Sequence, residues 1–151
     1  MNPTSSCYRV FLLSTVLFLS GCFDTFEQSY LNYSDLKRMH NPRLQGWFPD
    51  IVDEDAYNLK ETHSIGPIES LGKFSYGKQH KIDTLLSNRE IYRPSTVDSF
   101  KQFISSFKSI QVPEWFIKVE NYAGKMVFRK QDTYFIQSKE DRTIYFAYKF
   151  H

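Results

Sequence analysis

Glu61 and His63 are the residues of this chain best placed to do acid–base or ligand chemistry. They stand two apart in a segment where Tyr57, Leu59, Glu61, His63 and Ile65 alternate with Asn58, Lys60, Thr62 and Ser64, the period of a half-buried strand. Residues two apart on a strand point to one face, and a carboxylate beside an imidazole can orient it or raise its pKa. On an apolar face such a pair could bind a ligand, but without a nucleophile or a third metal ligand it does not define an enzyme. A hydrogen-bonded pair that fixes strand register, or a solvent-facing edge, is the favoured reading. Trp47 and Phe48, between Gly46 and Pro49, form a second group of interest. A rigid aromatic loop tip suits a protein partner, a glycan or the bilayer interface, whereas the same rings folded under would plug one edge of the core, the preferred reading. The third reactive group is the thiol of Cys22, which follows Leu19-Ser20-Gly21 at the end of the apolar run from Val10 to Ser20.

Other chemistry is missing from the pattern. His40, His80 and His151 are scattered, with no spacing that suggests a metal cage, and no cofactor is expected. No serine sits in a Gly-x-Ser-x-Gly elbow, and the 6 glycines include no phosphate-binding loop. The formal net charge of +2 leaves no basic stripe for nucleic acid.

The elements that position these groups can be read from the periodicity. Ser34 is placed to cap a short helix through Asp35-Leu36-Lys37-Arg38-Met39, which Asn41-Pro42 should end. Asp53-Glu54-Asp55 can start a single helical turn. Gly66-Pro67 is a turn signal, so a strand near Leu71 to Tyr76 should pair with the Glu61 strand as a hairpin. Gln79 to Ser87 reads as a helix. A longer helix follows Pro94, with Ser95 and Asp98 as a capping pair and one apolar stripe through Val97, Phe100, Phe103, Ile104, Phe107 and Ile110. Trp115-Phe116 reads as core. The remainder is an antiparallel meander: Lys125 to Lys130, Thr133 to Ser138 and Thr143 to Phe150, with Ile144, Phe146, Tyr148 and Phe150 on one face. The expectation is a single small α+β domain, an antiparallel sheet with two or three helices packed on one face. The chain carries 14 Phe, 10 Tyr and 2 Trp, so large rings should dominate its core.

Met1 to Gly21 has the parts of a secretory signal: Arg9 in a positive first region, the apolar run, and small residues before a cut. That run is much shorter than the roughly 20 residues that a spanning helix needs. Leu19-Ser20-Gly21-Cys22 resembles the lipobox of bacterial lipoproteins. The resemblance implies that residues 1–21 are a cleaved signal peptide and that Cys22 becomes the first residue, with lipid on its thiol and usually on its amine. Residues 22–29 then form a short tether and residues 30–151 the domain. Of the 2 cysteines, Cys7 would be lost and Cys22 lipidated, so no disulfide is expected.

A further resemblance rests on Tyr33-Ser34-Asp35-Leu36, Gly46-Trp47-Phe48-Pro49 and Leu59-Lys60-Glu61-Thr62-His63. The stretch from Tyr33 to Tyr76 looks like a family of small, functionally uncharacterised bacterial lipoproteins and membrane-associated proteins. Its members commonly follow the histidine with an acidic residue and an Asp-Thr-Asn turn, where this chain has Ser64, Ile65, Gly66 and Pro67. The resemblance implies an envelope lipoprotein and names no activity.

Three functions follow as expectations. The first is a non-enzymatic, membrane-anchored binding or envelope-maintenance domain, held by lipid on Cys22 with an envelope protein as partner. Phe23 rather than Asp follows Cys22, which favours the outer membrane facing the periplasm in a Gram-negative cell. The second is an inhibitor or immunity lipoprotein that blocks a hydrolase or toxin, with Trp47 on a protruding loop as the plug. The third is a small ligand-binding protein or hydrolase using Glu61 and His63, which requires a concavity around that pair.

Overall fold

A computed structural model describes residues 24–38 and 47–150. Cys22, Gly46, His40, His151 and the expected helix stop at Asn41-Pro42 lie outside the described residues. The described chain forms a seven-stranded antiparallel sheet: β1 Thr25–Asn32, β2 Ala56–Ile65, β3 Ile68–Tyr76, β4 Arg93–Ser95, β5 Met126–Lys130, β6 Thr133–Ser138 and β7 Thr143–Lys149. Three helices accompany it: α1 Tyr33–Arg38, α2 Gln79–Ser87 and α3 Val97–Ser105. The strand order is β1-β2-β3-β7-β6-β5-β4, so two meanders, β1 to β3 and β4 to β7, meet at the β3·β7 seam.

Successive residues of the central strands belong to different cores, as a period of two requires. Phe74, Phe135, Ile144, Phe146 and Phe128 pack with Leu36 of α1, Ile82 and Leu86 of α2, and the loop residues Phe48, Ile51 and Val52. Leu71, Ile136, Ala147 and Val127 pack on the other face with Phe100 of α3 and with Ile110, Phe116 and Tyr122 beyond it. The helices therefore divide between the two faces, which corrects the expectation of helices on one face. The reason is the seam: β3 and β7 are buried on both sides, and each side needs its own cover. Burial of each large ring contributes about 1.5–3 kcal/mol. The expected Phe stripe is part core, with Phe100 buried and Phe103 and Phe107 half-buried.

Four local expectations change. Residues 22–29, expected as a tether, overlap β1, which starts at Thr25 and pairs with β2 from Thr25↔Ser64 to Asn32↔Tyr57. This is an edge strand, mostly exposed, so its sequence lacks the alternation that marks a half-buried one. The cap of α1 is Asn32, not Ser34: its Oδ1 accepts from the amide of Asp35 at 3.0 Å, while the Ser34 hydroxyl donates to the same atom at 2.6 Å. The cap of α3 is Thr96, whose hydroxyl oxygen accepts from the Ser99 amide at 3.1 Å, and the helix stops at Ser105, leaving Phe107 and Ile110 in the following loop. Asp53 to Asp55 form a turn, in which the Asp53 side chain accepts from the Asp55 amide at 3.0 Å.

Candidate functional site

The site is built on the β2–β3 hairpin. Gly66 and Pro67 are the two loop residues between paired Ile65 and Ile68, and this register places Ser70 opposite His63 and Gly72 opposite Glu61. On the other side of β2, Phe26 lies opposite His63 and Gln28 opposite Glu61. Partners in an antiparallel ladder share a face, so one surface carries Phe26, Gln28, Glu61, His63, Ser70 and Gly72.

Glu61 is fully buried and His63 nearly so, at 0% and 3% exposure. Nδ1 of His63 lies 3.0 Å from each carboxylate oxygen of Glu61, and the Ser70 hydroxyl donates to Glu61 Oε1 at 2.9 Å. The Trp47 ring stacks on the imidazole at 3.9 Å and 10°, and the Phe26 ring stacks on it at 5.3 Å and 22°. Phe48, buried, meets Tyr30 and Phe146 edge to face at 5.9 Å each. The Trp47–Phe48 loop thus folds under onto the sheet, as preferred from sequence, and it joins the Glu61–His63 pair as one cluster. Sequence reading treated the two groups as separate, and it missed Phe26 and Ser70. Ser70 had a signal: once Gly66-Pro67 is taken as a two-residue turn, counting outward puts it opposite His63. Phe26 had none, because its strand was not recognised.

Burial pushes the Glu61 carboxyl up to about 8, with a smaller contribution from the charge of Glu27 and an opposing one from the Ser70 hydrogen bond. Burial pushes the His63 imidazole down. Whichever partner carries it, the pair therefore holds one proton between the carboxylate and Nδ1 across neutral pH. The unfolded pair also holds one proton between its ordinary values of 4.5 and 6.5, so stability is level there. As pH rises from 6.5 to 8 the unfolded chain has lost that proton and the folded chain keeps it, so stability falls by roughly 2 kcal/mol. As pH falls below 4.5 the unfolded carboxylate gains a second proton that the folded pair binds less readily, because burial pushes His63 down, and stability falls again. Glu61→Gln should remove the alkaline loss and move the onset of the acid loss up to about pH 6.5, where His63 alone decides. Urea midpoints measured from pH 4 to 9 check this, and an unchanged alkaline limb in the variant would sink it.

The geometry limits the chemistry. In a nucleophilic relay the serine bonds to the imidazole and the imidazole to the acid. Here Ser70 and His63 both bond to the acid, so the serine hydroxyl is committed to Glu61. Among the described residues no three metal-ligating side chains come together. An apolar groove of about 700 Å³, lined by Ile104, Phe107, Val112, Phe116, Val119 and Tyr122, belongs to the α3 side and away from the pair.

A second buried polar cluster was not read from sequence. Glu69, fully buried, accepts from the amides of Lys108 at 3.0 Å and Ser109 at 2.9 Å, and lies 3.2 Å from Nζ of Lys149, its cross-strand partner. Lys149 also donates to the Ser106 carbonyl at 2.7 Å. This cluster ties the loop after α3 to the β3·β7 seam.

The hairpin and its flanking strand are the part of the chain with a recognisable counterpart. Residues 24–75 match the YbbD head domain family. The YbbD-head-like stretch covers about a third of the chain, from the start of β1 almost to the end of β3, and holds Phe26, Trp47, Glu61, His63 and Ser70 together. It overlaps the stretch from Tyr33 to Tyr76 that carries the resemblance to small bacterial lipoproteins. No curated protein and no solved structure matches the chain.

Proposed function

We propose that this chain is a lipid-anchored domain of the bacterial cell envelope that works by binding and not by catalysis. The observation that carries the reading is the run Leu19-Ser20-Gly21-Cys22 set only three residues before β1 begins. Lipid on Cys22 would hold the first strand directly at the membrane. Two or more acyl chains give a stable anchor, whereas one holds only marginally. The buried pair supports a structural role: Glu61, His63 and Ser70 satisfy one another beneath Trp47, with no exposure at Glu61 and 3% at His63. The inhibitor reading needs Trp47 free as a plug, and its ring is already stacked on His63. The envelope partner is proposed to be a protein, and the outer membrane facing the periplasm is favoured because Phe23, not Asp, follows Cys22.

The test is palmitate labelling and intact mass of the full-length protein from a bacterial host, beside Cys22→Ala. Labelling and membrane retention are expected for the parent and complete loss of both for the variant. An unlabelled, soluble parent cut at another position would overturn the reading.

A further inference from the structure

We infer that one end of the sheet docks on the phospholipid bilayer, with Phe26, Trp47, Ile65 and Phe150 seated among headgroups and the upper acyl chains. The inference deepens the lipoprotein reading and rests on lipid at Cys22. Chain geometry sets the position. Asp24, the first described residue, is two residues from Cys22, and an extended chain spans at most about 3.6 Å per residue, so the start of β1 lies within roughly 10 Å of the lipid attachment. The antiparallel register brings the β2–β3 turn and the end of β7 to the same end, through Thr25↔Ser64, Ile65↔Ile68 and Glu69↔Lys149.

Exposed apolar side chains gather at that end, beside exposed Asp24 and Asp132. Phe26 is 43% exposed, Ile65 60% and Phe150 56%. They share the face of the imidazole: Phe26 is the partner of His63, Ile65 stands two residues beyond it, and Phe150 continues the row of Phe146 and Tyr148 while its amide donates to the Ile68 carbonyl at 3.0 Å. Trp47, half-buried on His63, adds the ring type most at home between headgroups and hydrocarbon. Glu69, the acid on β3 at this end, is buried against Lys149 and brings no exposed charge. The opposite end holds exposed Leu31 and Tyr57 at the β1–β2 edge and a fully charged β6–β7 turn, Lys139-Glu140-Asp141-Arg142, all exposed. The apolar patch thus sits at the anchored end, rimmed by exposed Asp24 and Asp132. An exposed apolar patch of this kind marks a contact surface, and the tether leaves the bilayer as its nearest neighbour.

Fluorescence on the mature lipidated protein tests this. Single-cysteine variants Ile65→Cys, Phe150→Cys and Asp141→Cys carry an environment-sensitive probe, the Cys22 thiol being blocked by its own lipid. Each is placed in vesicles of phosphatidylethanolamine and phosphatidylglycerol at about three to one, with and without brominated acyl chains. Probes at positions 65 and 150 should shift to the blue and be quenched several-fold more than the probe at 141. Intact mass is read on the same samples. Equal, weak quenching at all three positions on protein whose mass shows the lipid would overturn the docking and leave the anchor standing. Protein without lipid would overturn both.

Discussion

Glu69→Ala should destabilise the domain by about 3–5 kcal/mol, the range for removing one partner of a buried ion pair. The side chain accepts two backbone amides and faces the Lys149 ammonium, with no exposure of its own and 11% for the Lys149 side chain. Its removal strands a cation that keeps the Ser106 carbonyl and hydroxyl and the face of the Phe107 ring, and it orphans the amides of Lys108 and Ser109. The loop after α3 then loses its tie to the sheet. Adding Lys149→Met should recover part of the loss, since an apolar side chain of similar length needs no counter-charge, but the two amides remain unpaired. Urea unfolding followed by tryptophan fluorescence measures both. A single variant within 1 kcal/mol of the parent, or a double variant no better than the single, would show that the pair is not what holds this loop.

The second large effect is expected at Gly72. A Cβ there would fall 2.1 Å from Cζ of Phe146 and 2.5 Å from Cε1, inside the ring's own space. Phe146 cannot retreat easily, because it is fully buried and meets Phe48 edge to face. Overpacking of this kind typically costs about 1–3 kcal/mol, and contact this close places Gly72→Ala at about 3 kcal/mol or above. The ring would be driven toward Phe48, and with it the loop that closes over Glu61. Phe146→Leu in the same chain should relieve the clash, so the double variant is expected to be more stable than Gly72→Ala alone, with a coupling of at least about 1 kcal/mol in a double-mutant cycle. Additive losses would mean that the strand, and not the ring, resists the methyl group.

Much of this architecture could be read in the residues. The alternation from Leu59 to Ile65, the Gly66-Pro67 turn, the helix over Gln79 to Ser87 and the three closing strands are local patterns, and local patterns report local structure. The expected alternation fails at Tyr57, where a register shift with Asn58 at a positive φ of 51° turns Tyr57 off the Glu61 face. β1 escaped because an edge strand with most side chains in water carries no period, and β4 because it is three residues long and contains Pro94. The split of helices between faces escaped because it depends on which strands end up central. In the site, the Glu61–His63 contact followed from spacing two, whereas the stacking of Trp47 on His63 depends on a loop returning across the sheet. The Glu69–Lys149 pair was beyond reach for the same reason: neither residue has a neighbour in sequence that reveals the other.

The seam between the two meanders also shapes how the chain must assemble. Ser75 and Thr143 are 68 residues apart and their hydroxyls meet at 3.2 Å across it, so β3 waits for the last strand made before its second edge is paired. Loop closure costs about 0.6 kcal/mol more for each doubling of length, roughly 3 kcal/mol beyond the two-residue β2–β3 turn. Contacts that distant form slowly, and until they do, the open edge of β3 presents Leu71 and Phe74 on either side of an unpaired backbone. A chain delivered from its amino end would therefore complete the YbbD-head-like stretch first and hold it as an incomplete sheet, and the arrival of β7 would act as the latch that takes this sticky intermediate out of circulation.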